Sequence, residues 1–340
     1  MTRAPLDKGL HPRNRFRDGY DFEALVATFP RLAEFVAPNA FGNASVNFAD
    51  PAAVKTLNQA LLAHAYGLAG WDFPKGALCP PIPGRSDHLH YVADLLASDV
   101  SGAKTDPVPR GPSVSVLDIG TGANCIYPLI GASEYGWRFV ATETDPDACA
   151  WAAHLVEAQP TVSELIVCRQ QLSPLQCFEG VVQPGEQFDL CLSNPPFHAS
   201  AEEAALGNLR KRRNLARGSS KRPAKQRPSQ GSANDAESTT VSDSAAASDR
   251  NFAGRPSELW CPGGELAFVQ RMITESAQRP ELCRWFTSLV SKRSHLAQLT
   301  RDLKAVKAVD ITTLDMAHGQ KQSRLLAWSF QSPTERRREH

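Results

Sequence analysis

Apolar residues recur at three- and four-residue spacing over 22–35 and again over 51–66, with Asp21 and Asp50 just ahead of them as N-caps, so both segments predict helices. A shorter helix is predicted over 90–96, which makes the first hundred or so residues mainly helical. The Gly- and Pro-rich stretch 102–112 reads as a connecting loop. Beyond it the pattern changes. Short apolar, β-branched runs over 114–119, 138–143, 165–168 and 188–193 predict strands, with a helix over 146–158 among them. Farther on, 264–277 reads as helix, 285–291 as strand and 295–306 as helix. The last two strands, 309–314 and 325–330, follow with no helix between them. Strands and helices alternating at this spacing imply a parallel sheet covered on both faces, and the helix-free pair adds an antiparallel strand at its edge. The expectation is an α/β, doubly wound sheet over 113–330 with a terminal hairpin, a helical region over 1–112 ahead of it, and a polar tail over 331–340.

Composition narrows the classes. Over 340 residues, 37 basic against 36 acidic side chains leave a net charge of +1, so total charge selects no partner. No run approaches the roughly 18 apolar residues of a membrane span, and residues 1–10 lack an apolar signal-peptide core. The 8 cysteines are dispersed with no paired spacing, which argues against a zinc site and for a reducing, cytoplasmic compartment. The charge is nonetheless uneven. Arg210, Lys211, Arg212 and Arg213 open a basic run that reaches Arg227 without a carboxylate, and Ser- and Ala-rich chain follows. With so few large apolar side chains, 217–250 predicts a disordered insertion. A second basic cluster, Arg13, Arg15 and Arg17 around Phe16, suits a nucleic-acid backbone and its bases, or is simply a solvated face.

Two strand ends carry candidate chemistry. The first is Asp118-Ile119-Gly120-Thr121-Gly122, where an acid and two glycines mark the turn from strand to helix and let the backbone approach a ligand. A dinucleotide fingerprint needs a third glycine where Cys125 stands, so a pyrophosphate-bearing cofactor is disfavoured, and no P-loop Lys-Ser/Thr follows. The next strand ends at Glu143, where a carboxylate can accept from two ribose hydroxyls. The order strand, acid, glycine turn, strand, acid fits S-adenosylmethionine, which has a ribose and no phosphates. The second strand end is Asn194-Pro195-Pro196-Phe197. Two prolines fix the backbone there, so that the Asn194 oxygen and the Pro195 carbonyl can accept the two N–H bonds of a planar amine while Phe197 stacks on its ring. A rigid turn with a core phenylalanine is the plainer alternative. This chemistry calls for no metal.

These motifs resemble the class I, S-adenosylmethionine-dependent amino-methyltransferases, whose fold is Rossmann-like. The fuller text resembles the bacterial 23S ribosomal RNA adenine-N6 methyltransferases and the related METTL16-type RNA enzymes. It includes His11-Pro12-Arg13-Asn14-Arg15-Phe16, Ser45-Val46-Asn47-Phe48, Gly120 to Pro128 and Glu258-Leu259-Trp260-Cys261. The resemblance implies methylation of an adenine N6 in 23S ribosomal RNA, free or in a large-subunit assembly intermediate. It implies Gly120, Gly122, Glu143 and Asn194 at the cofactor, Asp118 supporting the glycine turn, and Arg85 near the methionine carboxylate. Asn194, Pro195, Pro196 and Phe197 would hold the adenine. Arg13, Arg15, Arg17 and Arg210 to Arg213, joined by Lys321 and Arg324, would form the RNA surface.

Three other readings use the same motifs. A guanine-N2 methyltransferase of ribosomal RNA also carries Asn-Pro-Pro-Phe, but not the text from His11 to Phe16. A protein glutamine methyltransferase fits the basic clusters poorly. An RNA-binding assembly factor without activity would not need both Glu143 and the Asn194–Phe197 run.

Overall fold

The computed structural model describes residues 9–101, 108–200, 202–203, 256–318 and 321–337. The insertion predicted over 217–250, the basic run Arg210 to Arg213 and part of the 102–112 loop lie outside the described residues.

The first helix, α1 (Phe22–Thr28), starts on Asp21, whose carboxylate accepts from the Ala24 N–H. It is shorter than the apolar spacing predicts. Pro30 forces Phe29 into an extended conformation (φ −133°, ψ 82°) and restarts the chain as a 3-10 turn, Pro30–Glu34. A small hairpin, β1 (Val36–Pro38) with β2 (Ala44–Val46), leads to α2 (Pro51–Tyr66), which Asp50 caps and Gly67 ends in the left-handed region (φ 68°). The helix expected over 90–96 is one part of a longer one, α3 (Ile82–Ser101). His88, Asp87 and Ser86 hide its early turns from an apolar-period reading because their polar side chains are buried on partners.

The sheet follows with the expected alternation: β3 (Ser115–Ile119), α4 (Ile126–Tyr135), β4 (Arg138–Glu143), α5 (Pro146–Glu157), β5 (Ile166–Gln170) and β6 (Phe188–Ser193). A short α6 (Pro256–Leu259) precedes α7 (Gly264–Gln278), β7 (Cys283–Val290) and α8 (Arg293–Ala305). The chain then forms the hairpin β8 (Asp310–His318) and β9 (Lys321–Ser329) and a last turn, α9 (Pro333–Arg336). The seven strands run in the order β5-β4-β3-β6-β7-β9-β8, and only β9 is antiparallel to both its neighbours.

Each strand sends alternate residues to opposite faces, and this builds two cores. Val116, Leu190, Trp285 and Leu325 face α2 to α5, whereas Leu117, Cys191, Phe286 and Leu326 face α7 and α8. The apolar side chains of the N-terminal helices belong to the first of these cores, so the helical region and one face of the sheet share an interior. The predicted polar tail is likewise tied in. Arg336 is buried over the Trp285 ring and donates to Asp99 (2.9 Å) and Asp310 (2.8 Å). Among the described residues no helix is long and apolar enough to cross a membrane.

Candidate active site

The ends of β3, β4 and β6 meet along one edge of the sheet because parallel strands present their carboxyl ends on the same side. At the end of β3 the chain reverses through Gly120 (φ 77°) and Gly122 (φ 65°), conformations that a side chain would strain. The Gly120 and Thr121 N–H groups both donate to the Thr142 carbonyl on β4. Glu143 then holds the turn from the neighbouring strand. Its Oε2 accepts from the Gly122 N–H at 2.9 Å, and its Oε1 accepts from the Thr144 and Asp145 N–H groups.

Asp118, the acid expected to support the glycine turn, is buried at the end of β3, with the Thr121 side chain of the turn as a polar neighbour. Burial, opposed by the Thr121 side chain and reinforced by the nearby Glu143 charge, pushes its carboxyl up to about 7. Glu143, at the tip of the adjacent strand, braces the turn through the Gly122 N–H.

At the end of β6, Ser193 donates to the Ile119 carbonyl and ties the two strand tips together. Asn194 comes next, facing Arg85 from the first turn of α3. A guanidinium offers only donors, so the amide atom turned towards it is the oxygen. Asn194 Oδ1 then accepts from both Arg85 terminal nitrogens, at 3.1 and 2.9 Å. Arg85 also donates to the Tyr127 hydroxyl at 3.0 Å, and that oxygen lies 3.0 Å from His88 Nδ1. The chain past the prolines is fastened from a distance. The backbone of His198 pairs with the segment around Trp260, and Gly264 (φ 64°) packs so closely that a Cβ there would lie 3.1–3.2 Å from the backbone of Ala199 and His198.

These parts surround a single cleft of about 900 Å³ of atom-free space, continuous with solvent. Of the residues singled out in the sequence, Arg85, Gly120, Gly122, Glu143, Asn194, Pro195 and Pro196 line it. Asp118, buried, and Phe197, half-buried, stand outside the lining. The sequence reading passed over Leu78, Tyr127, Gln171, Glu258 and Phe268, which also line the cleft. Glu258 had a signal, since it opens a motif quoted for the resemblance, and its carboxylate accepts from the Leu78 N–H at 2.8 Å. Tyr127, buried beside Pro128 in the helix that follows the glycine turn, likewise lies within a quoted motif, although the sequence reading gave it no role.

The basic cluster near the N-terminus behaves differently from the expectation. Phe16 is buried and cannot stack on a base from outside. Arg13 pairs with Asp94 (2.7 Å) and donates to the His90 carbonyl, while Arg15 pairs with Glu134 (2.9 Å) and donates to the Ala65 carbonyl. Arg17 is exposed. Arg324 is also inward, pairing with Asp315 across the β8–β9 hairpin. The stretch from His11 to Phe16 is a strap on α3. Asn14 donates to the Pro83 carbonyl and to Asp87, and the His11 N–H donates to Asp87 at 2.6 Å. Those contacts flank Arg85, so the strap fixes the helix turn from which Arg85 enters the cleft.

The comparisons with known proteins agree along the whole chain. A family model described as RNA methyltransferase matches residues 4–332. Ribosomal RNA large subunit methyltransferase F of Yersinia enterocolitica is 47% identical over 330 residues, 97% of this chain and 90% of that protein. The protein of the same name from Photobacterium profundum is 47% identical over 96% of this chain and 92% of its own length. Among solved structures, the human METTL16 catalytic domain in complex with the MAT2A 3'UTR hairpin 1 superposes with a TM-score of 0.71 at 30% identity, covering 95% of this chain and 96% of that one. The N-terminal domain of human METTL16 in complex with SAH gives a TM-score of 0.68 at 28% identity, with 95% and 99% coverage.

Proposed function

The chain belongs to the RNA methyltransferase family, and from that premise we propose that it transfers a methyl group from S-adenosylmethionine to the N6 amino group of an adenine in large-subunit (23S) ribosomal RNA. The observation that carries this reading is the shared cleft. Glu143 and the Gly120–Gly122 turn stand at one end, and Asn194 with Pro195 and Pro196 stands at the other.

The residues fit the cofactor. Glu143 Oε2 keeps a lone pair beyond its bond to Gly122 and can accept from a ribose hydroxyl, while Gly120 leaves the backbone open to a close approach. Arg85 can take a carboxylate in a bidentate pair. When bound, S-adenosylmethionine supplies an electrophilic methyl on a sulfonium.

The protein's part is to present the amine. The lone pair of an adenine amino group is delocalised into the ring, which makes it a poor nucleophile. Two acceptors, Asn194 Oδ1 and the Pro195 carbonyl, would take its N–H bonds and favour the tetrahedral nitrogen of the transition state. The two prolines keep those acceptors in place because neither ring can rotate about its N–Cα bond. Phe197, just beyond them, would cover the base. Arg17 and the basic run Arg210 to Arg213 would contact RNA phosphates, with Arg13 and Arg15 contributing field rather than direct contacts, since both are engaged in ion pairs. A bacterial ribosomal RNA substrate implies a cytoplasmic site of action. Base extrusion is cheapest from an unpaired or weakly paired position, so the target adenine is expected in a loop.

Purified protein incubated with labelled S-adenosylmethionine and large-subunit RNA should yield N6-methyladenosine on nuclease digestion. Label recovered as N2-methylguanosine, or in protein, would overturn the substrate.

A further inference from the structure

Arg85 faces Asn194 across the cleft, and two buried residues, Tyr127 and His88, hold its other side. We propose that Tyr127 and His88 are positioning residues, a relay that fixes the Arg85 guanidinium for a carboxylate ligand. The inference rests on the cofactor half of the reading above.

The argument is one of donors and acceptors. The Arg85 guanidinium can only donate, so the Tyr127 oxygen, 3.0 Å away, accepts from it. The hydroxyl proton of Tyr127 must then go elsewhere, and the group within reach is His88 Nδ1, also at 3.0 Å. His88 Nδ1 therefore carries the lone pair and the ring proton sits on Nε2, a buried atom with no partner. Only a neutral imidazole of this one tautomer completes the relay, because a proton on Nδ1 would set two donors against the Tyr127 oxygen and leave its own proton stranded. The site enforces neutrality. Complete burial, with the Arg85 charge nearby, holds the His88 imidazole down at about 3. The ring of Tyr127 also lies under the guanidinium, 5.5 Å from its centre.

On the other side Arg85 gives two N–H groups to Asn194 Oδ1. The guanidinium is thus held between the neutral Asn194 amide on the cleft side and the buried Tyr127 phenol behind it. A free arginine would lose much of its side-chain freedom on pairing with a ligand. Here Tyr127 has already fixed it, so cofactor affinity depends on the Tyr127 hydroxyl acting through Arg85.

Tyr127→Phe removes that hydroxyl and keeps the ring. Calorimetry with S-adenosylhomocysteine as the probe should show about tenfold weaker binding, the usual order for a hydrogen bond to a charged group. In the methyl-transfer assay the KM for S-adenosylmethionine should rise by a similar factor, with kcat at saturation and the KM for RNA within about twofold. His88→Leu should weaken binding to the same degree, and His88→Asn, whose amide oxygen can stand in for Nδ1, should restore most of it. Unchanged S-adenosylhomocysteine affinity in a Tyr127→Phe protein of unchanged melting temperature would overturn the relay. So would a loss confined to kcat, or His88→Leu and His88→Asn behaving alike. The calorimetric result needs no RNA, so the relay can hold even if the methylated base proves to be another one.

Discussion

The two ends of the cleft are built by different means. The β3–β4 end is assembled from its own neighbourhood. Gly120 and Thr121 donate to Thr142, Gly122 donates to Glu143, and all of these residues lie within one β-α-β unit. The β6 end is assembled from far away. Asn194 faces Arg85 of α3, Ser193 bonds to Ile119, and His198 pairs with Trp260 on the far side of a long stretch of chain. A site half of the first kind is complete as soon as two strands pair, and backbone N–H groups give it rigidity. A half of the second kind exists only when the helical region, the sheet and the segment before α7 have all docked. Binding of a cofactor common to many enzymes suits the first, and orientation of one particular acceptor suits the second.

If that division is real, substitutions at the two ends should fail in different ways. The largest effect is expected for Asn194→Ala, which should lower kcat by about two to three orders of magnitude, as loss of one transition-state hydrogen-bond partner does elsewhere. Its affinity for S-adenosylhomocysteine should stay within a few-fold, and loss of binding with retained turnover would merge the two ends into one. Glu143→Gln works at the opposite end. Weakening the ribose acceptor and the Gly122 bond should reduce cofactor affinity on the order of tenfold while kcat at saturation changes little. Gly264→Ala tests the distant fastening. A Cβ at 3.1–3.2 Å from Ala199 and His198 would displace the chain that follows Phe197, so kcat should fall about tenfold with normal cofactor binding. Equal losses in binding and turnover would show instead that the fastening belongs to the whole cleft.

Asp118 gives the smallest and most local test, read in stability against pH. Its carboxyl titrates at about 7 in the fold against an ordinary 3.8, so the folded protein keeps a proton that the unfolded chain has released. Between those values the folded state binds more protons, and stability therefore declines as pH rises from about 4 to about 7, levelling off above. The total is bounded by roughly 4 kcal/mol. Asp118→Asn should flatten the slope in denaturant titrations run across that range, and an unchanged slope would place the proton elsewhere.

The central strands were legible because they are apolar runs buried on both faces, with a glycine, acid or proline signal at their ends. Pro146–Glu157 was read to within a residue because Asp145 caps it and Pro146 starts it. The glycine turn, Glu143 and Asn194 were legible for the same reason: each is a polar or glycine residue closing an apolar run. The early turns of α3 were not, since Ser86, Asp87 and His88 look like surface residues and are polar groups buried on partners. The arginines near the N-terminus were legible as charge alone. A cation in a sequence shows its charge but not its neighbour, and Asp94 and Glu134 lie dozens of positions from Arg13 and Arg15.

Local order along the chain thus determined the strands, their carboxyl-end turns and the residue types that stand on them, since hydrogen-bond period and backbone conformation act over a few residues. Tertiary structure decided which of those residues share a cavity, that Arg85 reaches Asn194 and rests on Tyr127, and that the strap from His11 to Phe16 is fastened to α3. Burial, pairing and desolvation are properties of a neighbourhood in space, and it takes the packed chain to bring distant residues into it.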